Sequence, residues 1–322
     1  MRRLLGAISL CVAIISCNVC AQQSHDIPVV GVLMGNVDLR DPVIEAFRAG
    51  LKDQGYIEGK TIRVEFRGAQ GNMDLLPGLA DELVRLKVDA IVVGNERSAR
   101  VAKQASASIP IVVSLYNYDP VAGGLIDSFA RPGGNLTGLF TRTSELAGKR
   151  LEQLKEVIPT LSRLAVFWDP LGQGELDELQ SAARSMGIQL QLMKLESPYD
   201  FDAAFKTAKR DKADAVLLIA TNAFYVERVR ICTAALANGM AVSSSFRDCT
   251  LAGGLISYGI EFRDAYYRLA YFVGKVLKGA KPSDLPFEQV TKFNLAVNAH
   301  AAKMLGLSVP KSILLRADEV IQ

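Results

Sequence analysis

From Val29 onward, short apolar runs alternate with segments in which apolar residues recur at helical spacing. Val29 to Met34 predicts a strand. Pro42 to Gln54 predicts a helix, with Val43, Phe47 and Leu51 on one face and Gly55 as its stop. Ile62, Val64 and Phe66 alternate with Arg63 and Glu65, the pattern of a half-buried strand. Asp74 to Leu86 reads as a helix, Val88 to Val93 as a buried strand, Arg97 to Ala107 as a helix and Ile109 to Leu115 as a strand rich in β-branched residues. After it, Asp119-Pro120 predicts a helix start and Arg131-Pro132-Gly133-Gly134 its stop. A further strand, Asn135 to Phe140, leads to Ser144, an N-cap for the next helix. Regular βα alternation of this kind builds a parallel sheet with right-handed crossovers.

The pattern then restarts in the same form. A helix carrying Leu146, Leu151, Leu154 and Ile158 precedes a strand at Arg163 to Trp168, and a helix from Glu175 to Met186 stops at Gly187 as the earlier one stops at Gly55. Ile188, Leu190 and Leu192 repeat the half-buried alternation, and Ala213 to Leu218 echoes Val88 to Val93. Gly55 and Gly187 are 132 residues apart, Asp89 and Asp214 are 125, and Asn95 and Asn222 are 127. A long-period repeat this regular predicts two similar Rossmann-like α/β lobes. Ala241 to Ser245 is a strand of the second lobe, but the elements after it are too many for that lobe alone. Sharing them gives lobe 1 as 27–143 plus 254–279 and lobe 2 as 144–253 plus 280–322, with crossovers near Thr141 to Ser144, Ala252 to Gly254 and Gly279 to Ser283. Lobes tied by three short connections can close around a ligand cleft.

Composition adds a compartment. Residues 1–21 have the form of an export signal: Arg2 and Arg3, an apolar core from Leu4 to Ile15, and small residues Val19 and Ala21 ahead of a mature start at Gln22. The apolar core is too short to span a bilayer. Ile14-Ile15-Ser16-Cys17 also resembles a lipobox, the alternative being a lipoprotein anchored through Cys17. Cleavage ahead of Gln22 predicts a soluble periplasmic protein; the lipobox would tether it to a membrane instead. Loss of Arg2 and Arg3 takes the net charge from +3 to +1, and no block of Lys and Arg marks a nucleic-acid binder. Cleavage after Ala21 leaves Cys232 and Cys249, either a disulfide or two buried thiols.

In an open α/β sheet, ligands sit beyond the carboxyl ends of the strands. Those ends supply the candidate ligand-binding residues Asn36, Asn95, Ser114, Tyr118, Asp119, Thr137, Trp168, Asn222, Arg247 and Tyr258. Amides, hydroxyls and aromatics outnumber charges among them, which suits a small polar solute with an apolar part. Helix N-termini can take a ligand carboxylate, and Asp119 is the candidate counter-charge for an amine. Enzyme chemistry lacks its groups. The chain has two histidines, His25 and His300, no Walker sequence and no G-x-S-x-G, and Gly172-Gln173-Gly174 stands without the rest of a dinucleotide fingerprint, so neither catalysis nor a cofactor is expected. Asn135-Leu136-Thr137 fits a glycosylation acceptor but reads as part of a structural strand.

Several stretches carry a family resemblance: Ala46 to Leu51 with Gly55-Tyr56, Asp119-Pro120-Val121, Pro132 to Gly138, Gly253 to Gly259, Leu277 to Pro282 and Leu315 to Ile321. In this order and spacing, the chain from Pro28 to Gln322 resembles the periplasmic substrate-binding components of ABC importers, in the group that takes tryptophan, tyrosine or related amino acids. The resemblance implies a fold like the type I periplasmic binding proteins, and a monomer that passes a small-molecule solute to ABC permease subunits in the membrane. A periplasmic sensing module docking on a signalling receptor would share the fold. Asp169 to Gly174 departs from the asparagine-proline-rich turn common in relatives, which bears on the ligand more than on the fold.

Overall fold

The computed structural model describes residues 27–35, 39–142, 144 and 146–322. The expected leader 1–21, with Cys17, and the candidate Asn36 lie outside the described residues. The first lobe opens with β1 (Val29–Met34), α1 (Pro42–Asp53), β2 (Arg63–Gly68), α2 (Leu76–Arg85), β3 (Ala90–Val93), α3 (Glu96–Ala105), β4 (Ile111–Tyr116) and β5 (Leu136–Thr141). The second follows with α4 (Leu146–Val157), β6 (Arg163–Trp168), α5 (Gln173–Ser185), β7 (Gln189–Lys194), α6 (Phe201–Arg210), β8 (Ala215–Leu218), α7 (Asn222–Ala237), β9 (Ala241–Ser244), α8 (Arg247–Leu251) and β10 (Ile256–Ile260). The chain returns to the first lobe in α9 (Phe262–Leu277) and β11 (Glu288–Gln289). It ends in the second with β12 (Phe293–Asn298), α10 (Ala299–Met304), α11 (Lys311–Arg316) and β13 (Glu319–Ile321).

The sheets run β11-β5-β4-β3-β1-β2 and β13-β12-β10-β9-β8-β6-β7. Within them, β5-β4-β3-β1-β2 and β10-β9-β8-β6-β7 are the same order, so the repeat holds strand for strand. Pairing is parallel throughout except for β10 with β12. The repeated residues do repeated work. The Asp89 carboxylate accepts from Val29 N at 2.7 Å, and Asp214 accepts from Ser162 N at 2.8 Å and Arg163 N at 2.9 Å, each holding the start of a neighbouring strand. Gly55 and Gly187, at φ +93° and +64°, end their helices in the left-handed region that glycine enters without penalty.

The continuous apolar runs exist because helices cover both faces of each sheet. In lobe 1, Ala90 and Val92 face α1 and α9, while Ile91 and Val93 face α2 and α3. In lobe 2, Leu164 and Val166 pack on α4 and α5, while Ala165 and Phe167 pack on α6 and α7. β2 and β7, at the sheet edges, are the half-exposed strands that their alternation predicts.

Two expectations need correction. Residues 254–279 do not form a unit of lobe 1, because β10 is the fifth strand of the second repeat and pairs with β9 and β12 in the second sheet. Without it, β9 would present an open edge. The crossovers therefore fall between β5 and α4, at Glu261, and between β11 and β12; lobe 1 extends to β11, where Glu288 pairs with Leu139. Nor does Pro120 start a helix: residues 120–124 form turns and no helix separates β4 from β5. Gly123, Gly124 and Pro132 leave too few helix-forming residues between them.

Candidate ligand-binding cleft

Contacts between the lobes are made by residues that follow the carboxyl ends of parallel strands, so the two sheets present those ends to each other. After β1 comes Asp41, which caps α1 by accepting from Val43 N at 3.1 Å and also accepts from Arg228 of α7 at 3.2 Å. After β4 comes Asn117, held at φ +50°, whose amide donates to Glu175 of α5 at 3.0 Å. Between these polar contacts lies an aromatic wall drawn from both lobes. The Phe262 ring sits 5.4 Å from Tyr116 and 4.6 Å from Tyr225, and Tyr225 stands edge-on to Phe246 at 5.4 Å. Beside the wall a narrow notch is bordered by Asp41, Arg247, Asp248, Glu261 and Arg263.

Beneath the cleft lies a buried ionic group. Arg150 of α4 and Glu175 of α5 are ion-paired with side chains fully removed from solvent. Glu175 also accepts from Ala220 N at 3.2 Å, and Arg150 donates to the Tyr258 carbonyl at 3.3 Å. Burial pushes the Glu175 carboxyl up, against the opposing pull of Arg150. Arg150 stands just past the first crossover and Tyr258 just before the second, so the pair ties both connecting segments to the floor of lobe 2. A signal for it existed: Arg150 falls between Ala147, Leu151 and Leu154 on the apolar stripe of its helix, and Glu175 shares the stripe of Leu176 and Leu179.

The expected site residues divide. Asn95 caps α3, accepting from Ser98 N at 2.8 Å, at the cleft end of β3. Its partner in the second repeat is Thr221, which caps α7 by accepting from Phe224 N and donates to Asp169 at 2.7 Å; Asn222 is the first residue of that helix. Trp168 ends β6 against the core of lobe 2, its Nε1 buried without a hydrogen-bond partner among the described residues. Ser114 is buried in the sheet opposite Leu139.

Others serve the scaffold. Thr137 is fully buried and donates to the Leu285 carbonyl at 2.8 Å, tying β5 to the segment that leads into β11. Asn135 donates to Ser106 O and Ile109 O, a structural role for that side chain. The Tyr118 hydroxyl accepts from Arg100 at 2.6 Å and its ring joins the core under α2 and α3. Arg247 forms a two-pronged pair with Glu319 of β13, at 2.5 and 2.7 Å. The Tyr258 ring packs on the core of lobe 2, 6.1 Å from Phe293. Asp119 accepts from Val121 N at 2.9 Å and Ala122 N at 3.0 Å on one oxygen and from Arg142 at 2.8 Å on the other. Those donors, the Ala122 N–H foremost, hold its carboxyl below its ordinary range. A ligand amine would have to compete with Arg142, so the arrangement gives Asp119 to the turn. Cys232 and Cys249 are joined as a disulfide between α7 and α8, Cα atoms 5.3 Å apart.

Among the described residues no group of side chains could hold a metal ion, and no helix is long and apolar enough to cross a membrane. Known proteins align over nearly the whole of this scaffold. The family described as ABC transporter substrate binding protein matches residues 29–321. A tyrosine-binding protein of Clostridioides difficile (strain R20291) is 26% identical over 286 residues, which are 87% of this chain and 81% of that one. Among solved structures, the ABC domain in complex with L-Trp from Streptococcus pneumonia shares the fold at a TM-score of 0.80 and 22% identity, over 91% of this chain and 99% of that one. A ligand-free, open substrate binding protein from Clostridium difficile superposes at a TM-score of 0.67 and 22% identity, over 92% and 100% of the two chains. The duplicated lobes, the cleft between their strand ends and the match from 29 to 321 thus make this chain a member of the ABC transporter substrate binding protein family, a solute-binding protein and not an enzyme.

Proposed function

We propose that the protein captures, between its lobes, an amino acid or close analogue with an apolar or aromatic side chain, and delivers it as a monomer to the permease of an ABC importer. The observation that carries the reading is the aromatic wall of Tyr116, Tyr225, Phe246 and Phe262, built from both lobes and flanked by polar contacts at the cleft. Stacked or edge-on rings suit a flat apolar side chain, and the N–H groups at the starts of α3 and α7 suit its carboxylate. The tyrosine and L-Trp named for two relatives support the same class of solute. The leader-like residues 1–21 support work outside the cytoplasm, with cleavage ahead of Gln22; intact mass of the exported protein tests this, and a diacylglyceryl adduct on Cys17 would replace the soluble form with an anchored one.

Calorimetric titration with the twenty amino acids, after unfolding and refolding to strip bound solute, tests the ligand class. L-Tyrosine or L-tryptophan is expected to bind with Kd on the order of micromolar or tighter, a free energy of about −8 kcal/mol. Tight binding confined to small polar or charged amino acids, or to none of the twenty, would refute it.

A further inference from the structure

We propose that Arg228 is a closure latch: a cation held ready on lobe 2 that pairs with Asp41 of lobe 1 when the lobes meet, and so sets how long the solute is retained. The inference rests on the family's solute-binding role; its ligand arm also uses the amino-acid reading above. Arg228 lies on α7 with its side chain 11% exposed, and two of its nitrogens donate within its own lobe. Nε donates to Asp248 at 2.8 Å, Nη1 donates to the Tyr225 carbonyl at 2.7 Å, and the guanidinium lies 4.0 Å over the Tyr225 ring. These contacts hold the plane in place whether the lobes are together or apart. Of the bonds that Arg228 makes among the described residues, the one from Nη2 to Asp41, 3.2 Å, crosses between the lobes.

Asp41 is equally pre-set. One of its oxygens caps α1 through Val43 N, so the carboxylate is fixed on lobe 1, and its side chain is 19% exposed with the lobes together. Each partner is therefore positioned by its own lobe, so closure orders few additional rotatable bonds. That makes an ion pair worth more than a typical surface pair, in which two free side chains must be ordered. Seclusion beside the rings of Tyr225 and Phe262 strengthens it further. The other charged groups around it are Asp248 and, along the notch, Arg247, Glu261 and Arg263. Arg247 is taken by Glu319 and Arg263 by Glu261, which leaves Arg228 as the cation at Asp41 among the described residues.

Asp41→Asn tests the latch, because asparagine caps a helix about as well as aspartate and removes only the charge. Spin labels on cysteines placed at Glu82 in lobe 1 and Glu178 in lobe 2 report the distance between lobes, with and without saturating L-tyrosine or L-tryptophan. The variant is expected to keep its melting temperature, to shift the distribution toward longer distances, and to release the amino acid about 5 to 50 times faster in stopped flow. High salt should accelerate release from the wild type and leave the variant nearly unchanged. Arg228→Gln combined with Asp41→Asn should add little to Asp41→Asn alone in the release rate. An unchanged distance distribution together with an unchanged release rate overturns the latch. If neither amino acid binds the wild type, the ligand class is what fails, and the ligand-free distributions decide the latch: a shift in Asp41→Asn supports it and identity refutes it.

Discussion

Asp119 shows what a single side chain's partners decide. Its carboxylate takes two backbone N–H groups and one guanidinium, so its loss acts on the turn after β4 and on the Arg142 pair. Asp119→Ala is expected to lower stability by about 1 kcal/mol and to leave solute affinity within a few-fold. Because the folded carboxyl titrates below its ordinary range, this stabilisation is complete above the unfolded pKa of about 4 and is lost as pH falls through the lower folded value. Melting temperatures of wild type and variant should therefore converge in acid; a gap that widens there would contradict the assignment. Arg150 lies at the other extreme. Arg150→Ala strands the buried Glu175 and should cost about 3–5 kcal/mol, read by urea denaturation, whereas replacing both residues with apolar side chains of similar volume should cost far less. A loss below about 1 kcal/mol for Arg150→Ala would mean that water reaches the pair.

At the scale of elements, the repeat extends to the close approaches between strands. A Cβ on Gly138 of β5 would lie 2.0 Å from Val113 O, and one on Gly259 of β10 would lie 2.2 Å from Ser245 O. Both glycines thus let the fifth strand of a repeat press against the fourth, next to a crossover. That is a physical reason for glycine in the stretches Pro132 to Gly138 and Gly253 to Gly259 that carry the family resemblance. The disulfide braces a neighbouring element, joining α7, which carries Arg228, to the short helix α8, which carries its partner Asp248. With the cysteines 17 positions apart in sequence, their joint replacement by alanine should cost about 3 kcal/mol, seen as a lower melting temperature. If the wild type in reductant melts no earlier than in its absence while the thiols are shown to be free, the bridge contributes nothing.

The molecule as a whole is two copies of one sheet order joined by three short connections. Among the described residues, cross-lobe contacts are a few polar pairs and one aromatic wall, while each lobe has apolar cores on both faces of its sheet. Motion should therefore be confined to the connections, with the lobes moving as rigid bodies. Small-angle scattering on solute-stripped protein should show a smaller radius of gyration on adding L-tyrosine or L-tryptophan at saturation. A scattering profile that does not change while calorimetry reports binding would count against a clamp.

The strands, their burial and the duplication were legible in the sequence because they depend on local periodicity: a strand covered on both faces must be apolar at every position, and a helix on a surface must be apolar on one stripe. Val29–Met34 and Arg163–Trp168 fall where their apolar runs place them, and Asp89 and Asp214 do the same work because the same local geometry recurs. Which lobe receives β10 was decided by its pairing with β9 on one side and with β12, beyond the excursion into lobe 1, on the other, and no local pattern encodes a partner. The cleft was still less legible. Strand-end position singled out Asn95, which caps α3, and Trp168, which packs on the core of lobe 2, and the same rule admitted Thr137, Arg247 and Tyr258, whose partners Leu285, Glu319 and Phe293 lie far along the chain. Arg150, Glu175 and Arg228 escaped notice for the converse reason. A charge is read from sequence as solvent-facing, and only the tertiary structure supplies the opposite charge that makes its burial possible.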